Sequence, residues 1–138
     1  MIPAWVAEYV GLPFADHGRT REGCDCWGLV RLVLAERFGL ELPAYAEGYA
    51  TTADREAVAR LVEGGKGPWQ EITPGQERCG DVLLLRVMGL PCHVGLVVAP
   101  GWMLHALKGV DAALGRYGAM VWRRRVLGHY RHEGLIHA

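Results

Sequence analysis

The chain has 138 residues, with fifteen basic and fifteen acidic side chains and hence a formal net charge of zero. That length supports a single domain, residues 1–138, with its own core and no need of disulfide staples. Balanced charge gives no electrostatic case for binding nucleic acid or a membrane surface, and no stretch is apolar for long enough to span a bilayer.

In chain order, Met1 to Leu12 is amphipathic and predicts a short helix near residues 3–10. It lacks the basic start and long apolar run of a signal peptide. A polar loop follows, Asp16-His17-Gly18-Arg19-Thr20-Arg21-Glu22-Gly23. Next, Leu29, Val30, Val33, Leu34 and Phe38 recur at helical spacing, which predicts a helix over 26–38 with Gly39 as its stop. A third helix near 53–63 has Thr51 and Asp54 at capping-box spacing, an apolar face of Ala57, Val58, Leu61 and Val62, and Gly64-Gly65 at its end. After a Pro-rich turn the pattern changes to strands near 81–88, 93–99, 102–107 and 119–126, joined by short Gly/Pro turns. Helices first and an antiparallel sheet second make an α+β domain.

The tetrad Asp25-Cys26-Trp27-Gly28 sits where the polar loop becomes the apolar helix. Asp25 is the expected N-cap, which puts Cys26 at the first helical position. There the free backbone N–H groups favour the thiolate, the nucleophilic form. A packed core thiol is the competing reading, since free cysteines are often buried. A nucleophilic cysteine needs a base, usually a histidine on another element. Of six histidines, His17 lies in the polar loop, and His129, His132 and His137 fall in the basic C-terminal stretch, where a solvated role is expected. His93 opens the strand-like run Val94-Gly95-Leu96-Val97-Val98, and His105 ends Gly101-Trp102-Met103-Leu104. Two neighbouring strands can present one histidine each to a common point, which with Cys26 completes an acid–base–nucleophile set.

Three more cysteines remain. Cys24, Cys26 and the Cys92-His93 pair are weighed as metal ligands and disfavoured: Cys-x-Cys is not the gap usual in structural zinc sites, and adjacent Cys and His fit one metal poorly. No cofactor is expected. Cys79 and Cys92 flank a hairpin and are expected to face each other, as packed thiols or as a disulfide. Arg123-Arg124-Arg125 reads as the exposed part of a strand or a partner contact.

The order Asp25-Cys26-Trp27-Gly28-Leu29-Val30, Gly80-Asp81-Val82-Leu83-Leu84, His93-Val94-Gly95, Leu104-His105-Ala106 resembles the NlpC/P60 cysteine peptidases, from about Phe14 to about Val110. The pieces Gly11-Leu12-Pro13-Phe14, Gly18-Arg19 and Gly39-Leu40-Glu41-Leu42-Pro43 resemble the compact versions encoded with phage tail genes and gene-transfer particles. The resemblance implies a papain-like fold, with N-terminal helices packed on a C-terminal antiparallel β-sheet. It makes Cys26 the nucleophile, His93 its base and His105 the residue that orients His93. Asp25, Trp27 and Phe14 fall on the substrate side. Two positions depart from the family pattern: Trp27 stands where many members have serine, and Phe14 where many have tyrosine.

The activity implied is hydrolysis of peptidoglycan stem peptides, at the bond between D-glutamate and the diamino acid. The setting implied is a virion tail or similar particle, made in the bacterial cytoplasm and contacting other tail-tip or baseplate proteins during wall penetration. A tail-tip structural subunit with little turnover is the alternative, and an acyltransferase using the same thiol shares the triad.

Overall fold

The computed structural model describes residues 1–45, 48–49 and 51–136. After a 3₁₀ turn at Ala4–Glu8, a small hairpin pairs β1 (Arg19–Thr20) with β2 (Gly23–Cys24) and leads into α1 (Cys26–Phe38). Helix α2 (Arg55–Gly64) follows. Then come β3 (Trp69–Ile72), β4 (Val82–Val87), β5 (Leu90–Ala99), β6 (Trp102–Leu107), β7 (Val110–Arg116) and β8 (Val126–His132), and a last 3₁₀ turn at Glu133–Leu135. These six strands form one antiparallel sheet in the order β3-β8-β4-β5-β6-β7. The fold is α+β, as the order of elements implies, and papain-like, as the resemblance implies.

Helix α1 begins and ends as its sequence dictates. The Asp25 side chain accepts the Gly28 N–H, and Gly39 closes the last turn in the left-handed region at φ 65°, its N–H bonded to Leu34 O. Leu29, Val30, Val33 and Leu34 have no exposed surface. They pack on one side of the sheet, against Val82, Leu84, Val94, Leu96, Val98 and Leu104. Removing such a side chain from water contributes about 1.5–3 kcal/mol.

The opposite side of the sheet has its own core. Leu83, Leu85 and Val97 belong there with Met103 and Tyr117, and Trp122 and Val126 pack onto them. Strand alternation sends these residues away from α1, so they are buried without meeting the helix. What covers them is the 117–125 segment. Leu83→Ala is expected to cost about 2–5 kcal/mol in a denaturant melt, through transfer and cavity terms together.

Some local expectations change. The N-terminal helix is a single 3₁₀ turn, cut short by Gly11 at φ 92° and Pro13. Thr51 and Asp54 do not form a capping box. Thr51 Oγ1 takes the Ala53 N–H in a preceding turn, and Asp54 itself caps α2 by accepting the Ala57 N–H. The strand expected over 119–126 is a run of turns held by local bonds such as Trp122 N–H and Arg123 N–H to Ala119 O. Pairing resumes at Val126, and β3 and β7 are additional strands. The Gly80-Asp81 motif is structural: buried Asp81 takes a two-pronged bond from Arg131 at 2.8 Å on each oxygen, tying β8 to the start of β4.

Candidate active site

The N-terminus of α1 is built around Asp25, which is 1% exposed. One carboxylate oxygen accepts the Gly28 N–H at 2.8 Å and Arg19 Nη1 at 2.7 Å. The other accepts the His17 N–H at 3.1 Å and the Tyr49 hydroxyl. Arg19 also donates to Ala44 O, from Nε at 2.9 Å and from Nη2 at 2.8 Å, and to Tyr49 Oη at 2.9 Å. One carboxylate therefore ties the hairpin loop, the stretch after α1 and the helix start together. Gly28 permits this closeness, since a Cβ there would sit 1.8 Å from Gly18 O.

Cys26 lies at the first turn, 8% exposed, inside the α1 core cluster. Backbone N–H groups of Val94 and Trp27 point at its sulfur and favour the thiolate. Burial outweighs them, reinforced by the Asp25 carboxylate, and the thiol is pushed up to about 12. The thiolate expected from the helix field is thus not the resting form. An alkylation profile checks this: iodoacetamide labelling of Cys26, mapped by peptide mass, should keep accelerating beyond pH 10. An ordinary thiol levels off about a unit above its pKa of about 8.5, and a plateau below pH 9 would contradict the assignment.

The two strand histidines meet. His93 Nε2 and His105 Nδ1 are 3.0 Å apart. Trp122 stacks on His93 at 5.8 Å and meets the His105 ring edge-on at 5.2 Å. Burial pulls His93 down to about 3, helped by His105, and His105 down to about 4. Both imidazoles are neutral at pH 7. With Nε2 engaged, Nδ1 is the His93 nitrogen left for a thiol. The Cys26 sulfur meets β5 at the His93–Val94 peptide; among the hydrogen bonds of the described residues, none joins Cys26 to the His93 ring.

A cysteine at a helix mouth, followed by paired histidines on adjacent strands, comes with a family match. Residues 11–131 fit the model of the NlpC/P60 family. The chain belongs to the NlpC/P60 family. It is 27% identical over 119 residues to the Escherichia coli (strain K12) protein named murein DD-endopeptidase MepS/murein LD-carboxypeptidase, covering 86% of this chain and 55% of that one. It is 26% identical over 132 residues to the gamma-DL-glutamyl hydrolase of Bacillus subtilis (strain 168), covering 93% of this chain and 28% of that one. An NLP/P60 family lipoprotein-like structure from Staphylococcus aureus superposes with a TM-score of 0.63 at 22% identity, over 91% of this chain and 39% of that one. The chain spans about half the length of the first of these relatives, and less of the others.

The remaining NlpC/P60 candidates are placed as follows. Trp27 stands in the wall of a cleft of about 140 Å³ that also touches Cys26, Tyr45, Leu61, Trp69 and Leu84. Its indole N–H donates to Pro43 O at 2.9 Å, and its ring approaches Tyr45 and Trp69. Phe14 packs against the α1 core cluster, bridges to Cys24 and is not among the cleft-lining residues. Asp25 borders the cleft, but all the bonds described for its oxygens are internal.

His17 binds Tyr49 O through Nε2 at 2.6 Å. His132 lines the cleft beside Trp69. His129, expected to be solvated, is 8% exposed, with Nε2 3.6 Å from Glu77. His137 lies outside the described residues. Cys79 and Cys92 are both free thiols, and they do not face each other. Gly80 bonds Val97 while Arg86 pairs with Pro91, so Cys79 and Cys92 lie at opposite ends of β5, about 17 Å apart at strand rise. Among the described residues, no three His, Cys, Asp or Glu side chains gather as metal ligands.

Tyr49 and Trp122 were not singled out from sequence. Tyr49 lies in a loop without periodic signal. Trp122 sits beside three arginines, where it reads as surface.

Proposed function

We propose that this NlpC/P60 chain is a cysteine peptidase of peptidoglycan stem peptides, cutting between D-glutamate and the diamino acid, within a phage tail or similar particle. The observation that carries the reading is the His93–His105 pair at 3.0 Å, on the strands that α1 packs against; the two rings lie on the Trp122 side of the sheet, and it is the backbone N–H of Val94 that meets the sulfur of Cys26. The names of the murein and gamma-glutamyl relatives support the substrate class.

The roles we assign are these. For His93 to take the thiol proton at Nδ1, its Nε2 carries hydrogen and donates to His105 Nδ1. His105 thereby fixes the tautomer and the ring orientation. The reaction requires Sγ and Nδ1 to come together, because among the described residues no hydrogen bond joins them and the His93 ring lies on the Trp122 side of the sheet. The thiolate then attacks the D-glutamyl side-chain carbonyl, and backbone N–H groups at the start of α1, that of Cys26 included, hold the oxyanion. The C–N bond breaks as protonated His93 gives its proton to the departing amine. Water, deprotonated by His93, hydrolyses the thioester and frees Cys26. The apolar cleft walls suit the alkyl portions of the stem peptide, not its carboxylates.

Incubation with defined muropeptides and product analysis by mass spectrometry tests this reading. Cleavage at the D-glutamyl bond supports it. Intact substrate, under conditions where Cys26 still reacts with iodoacetamide, would instead support the tail-tip structural subunit. That second reading has its own observation: the sulfur is buried, and Trp27 is packed against Tyr45 and Trp69. His105→Ala is expected to lower turnover about 10- to 100-fold with an unchanged melting curve, as loss of an orienting partner does. Full activity in that variant would remove His105 from the site.

A further inference from the structure

The net charge of zero hides a segregated surface. Residues 82–92 and 116–128 contain no acidic side chain; all fifteen lie elsewhere. The turns between Tyr117 and Arg125 fold Trp122 inward onto His93 and leave Arg123, Arg124 and Arg125 exposed. The end of β4 joins them: the Arg86 N–H donates to Arg125 O at 2.7 Å, and Arg86 Nη2 to Arg124 O at 3.3 Å. Among the described residues, none of these four arginines forms an ion pair. The Arg125 guanidinium lies 5.8 Å from the Trp122 ring, so the basic surface and the cover of the His93–His105 pair are one structural unit.

We propose that Arg86, Arg123, Arg124 and Arg125 form a docking surface for the free carboxylates of the peptidoglycan strand, outside the Cys26 cleft. The inference rests on the wall-polymer reading above and names how the polymer is held. Charge complementarity carries it. Planar guanidinium forks match carboxylates two bonds at a time, and the uncross-linked stems of such a strand present carboxylates repeatedly. Each exposed pair is weak by itself, and several on one polymer add through effective concentration. The 117–125 turns also expose Met120 and Val121, 80% and 65% accessible, with Met88 at 76% on the adjoining hairpin. A lipid surface is therefore the competitor to be tested.

Co-sedimentation of the Cys26→Ala protein with purified sacculi, intact or stripped of phosphodiester polymers by hydrofluoric acid, tests the proposal. Binding should persist on stripped sacculi, fall steeply between 50 mM and 500 mM salt as exposed charges are screened, and drop about tenfold in R123Q/R124Q/R125Q. If that triple variant does not fold, R86Q/R124Q gives the same readout from two elements. Undiminished binding by the charge variants, loss of binding on stripping, or equal uptake by phosphatidylglycerol vesicles would overturn it. In the active background R123Q/R124Q, which keeps Arg125 beside Trp122, should cleave a short soluble muropeptide at the parent rate. Failure of the parent itself to cleave that muropeptide would sink the hydrolase reading and leave the sedimentation result standing.

Discussion

Replacing Cys26 by Ala is expected to reduce muropeptide cleavage at least about a thousandfold, to the level that binding and the remaining site groups supply without a nucleophile. Nothing else at the α1 mouth can substitute. Cys24, two residues away, precedes the helix, is absent from the cleft lining, and has its thiol donating to Thr20 O at 3.0 Å. Cys92 reaches the cleft, but its thiol is turned to Val87 O at 3.7 Å and it lies on a strand, with no helix start to hold an oxyanion. The Ala variant should remain folded, since the change deletes one sulfur atom from the cluster edge, at a cost of about 1 kcal/mol. Residual cleavage within tenfold of the parent would move the nucleophile elsewhere.

Asp25→Ala carries the largest expected loss of stability, about 3–5 kcal/mol by urea melt. It leaves the Arg19 guanidinium, with its side chain only 12% exposed, without its partner in a buried pair. The loss of an N-cap, about 1 kcal/mol, falls within that range. Three segments lose their common anchor together, because the His17 N–H, the Tyr49 hydroxyl and the Gly28 N–H all end on this carboxylate. A double-mutant cycle with Arg19 isolates the pair term. A change below 1 kcal/mol would mean that the pocket relaxes and hydrates without cost.

The sequence made some of this plain and concealed the rest for physical reasons. Helix α1 was readable to the residue, because Asp25 and Gly39 mark its ends through side-chain and backbone chemistry local to them. The meeting of His93 and His105 was readable from their residue types and order; that Cys26 meets the backbone of β5 at Val94, not the His93 ring, was not. The protonation state was not: helix-end field and burial act in opposite directions on Cys26, and only packing reveals that burial wins. Which strand residues face α1 was also hidden, since β4 and β5 are apolar on both sides and show no alternation. Strand β7, with Ala112, Ala113 and Gly115, lacks the β-branched signature and exists because the Gly109 turn returns it against β6. The Asp25–Arg19–Tyr49 network joins residues up to 30 positions apart, and no spacing rule connects them.

The central claim is that Cys26 forms a covalent acyl intermediate with a stem peptide. Intact-mass spectrometry after rapid acid quench of enzyme and muropeptide measures it directly, with peptide mapping to locate the adduct. The account predicts an added mass equal to the D-glutamyl-side product less one water, on Cys26 alone and absent from the Cys26→Ala protein. Cleavage proceeding with no adduct on any thiol, and retained in Cys26→Ala, would contradict it.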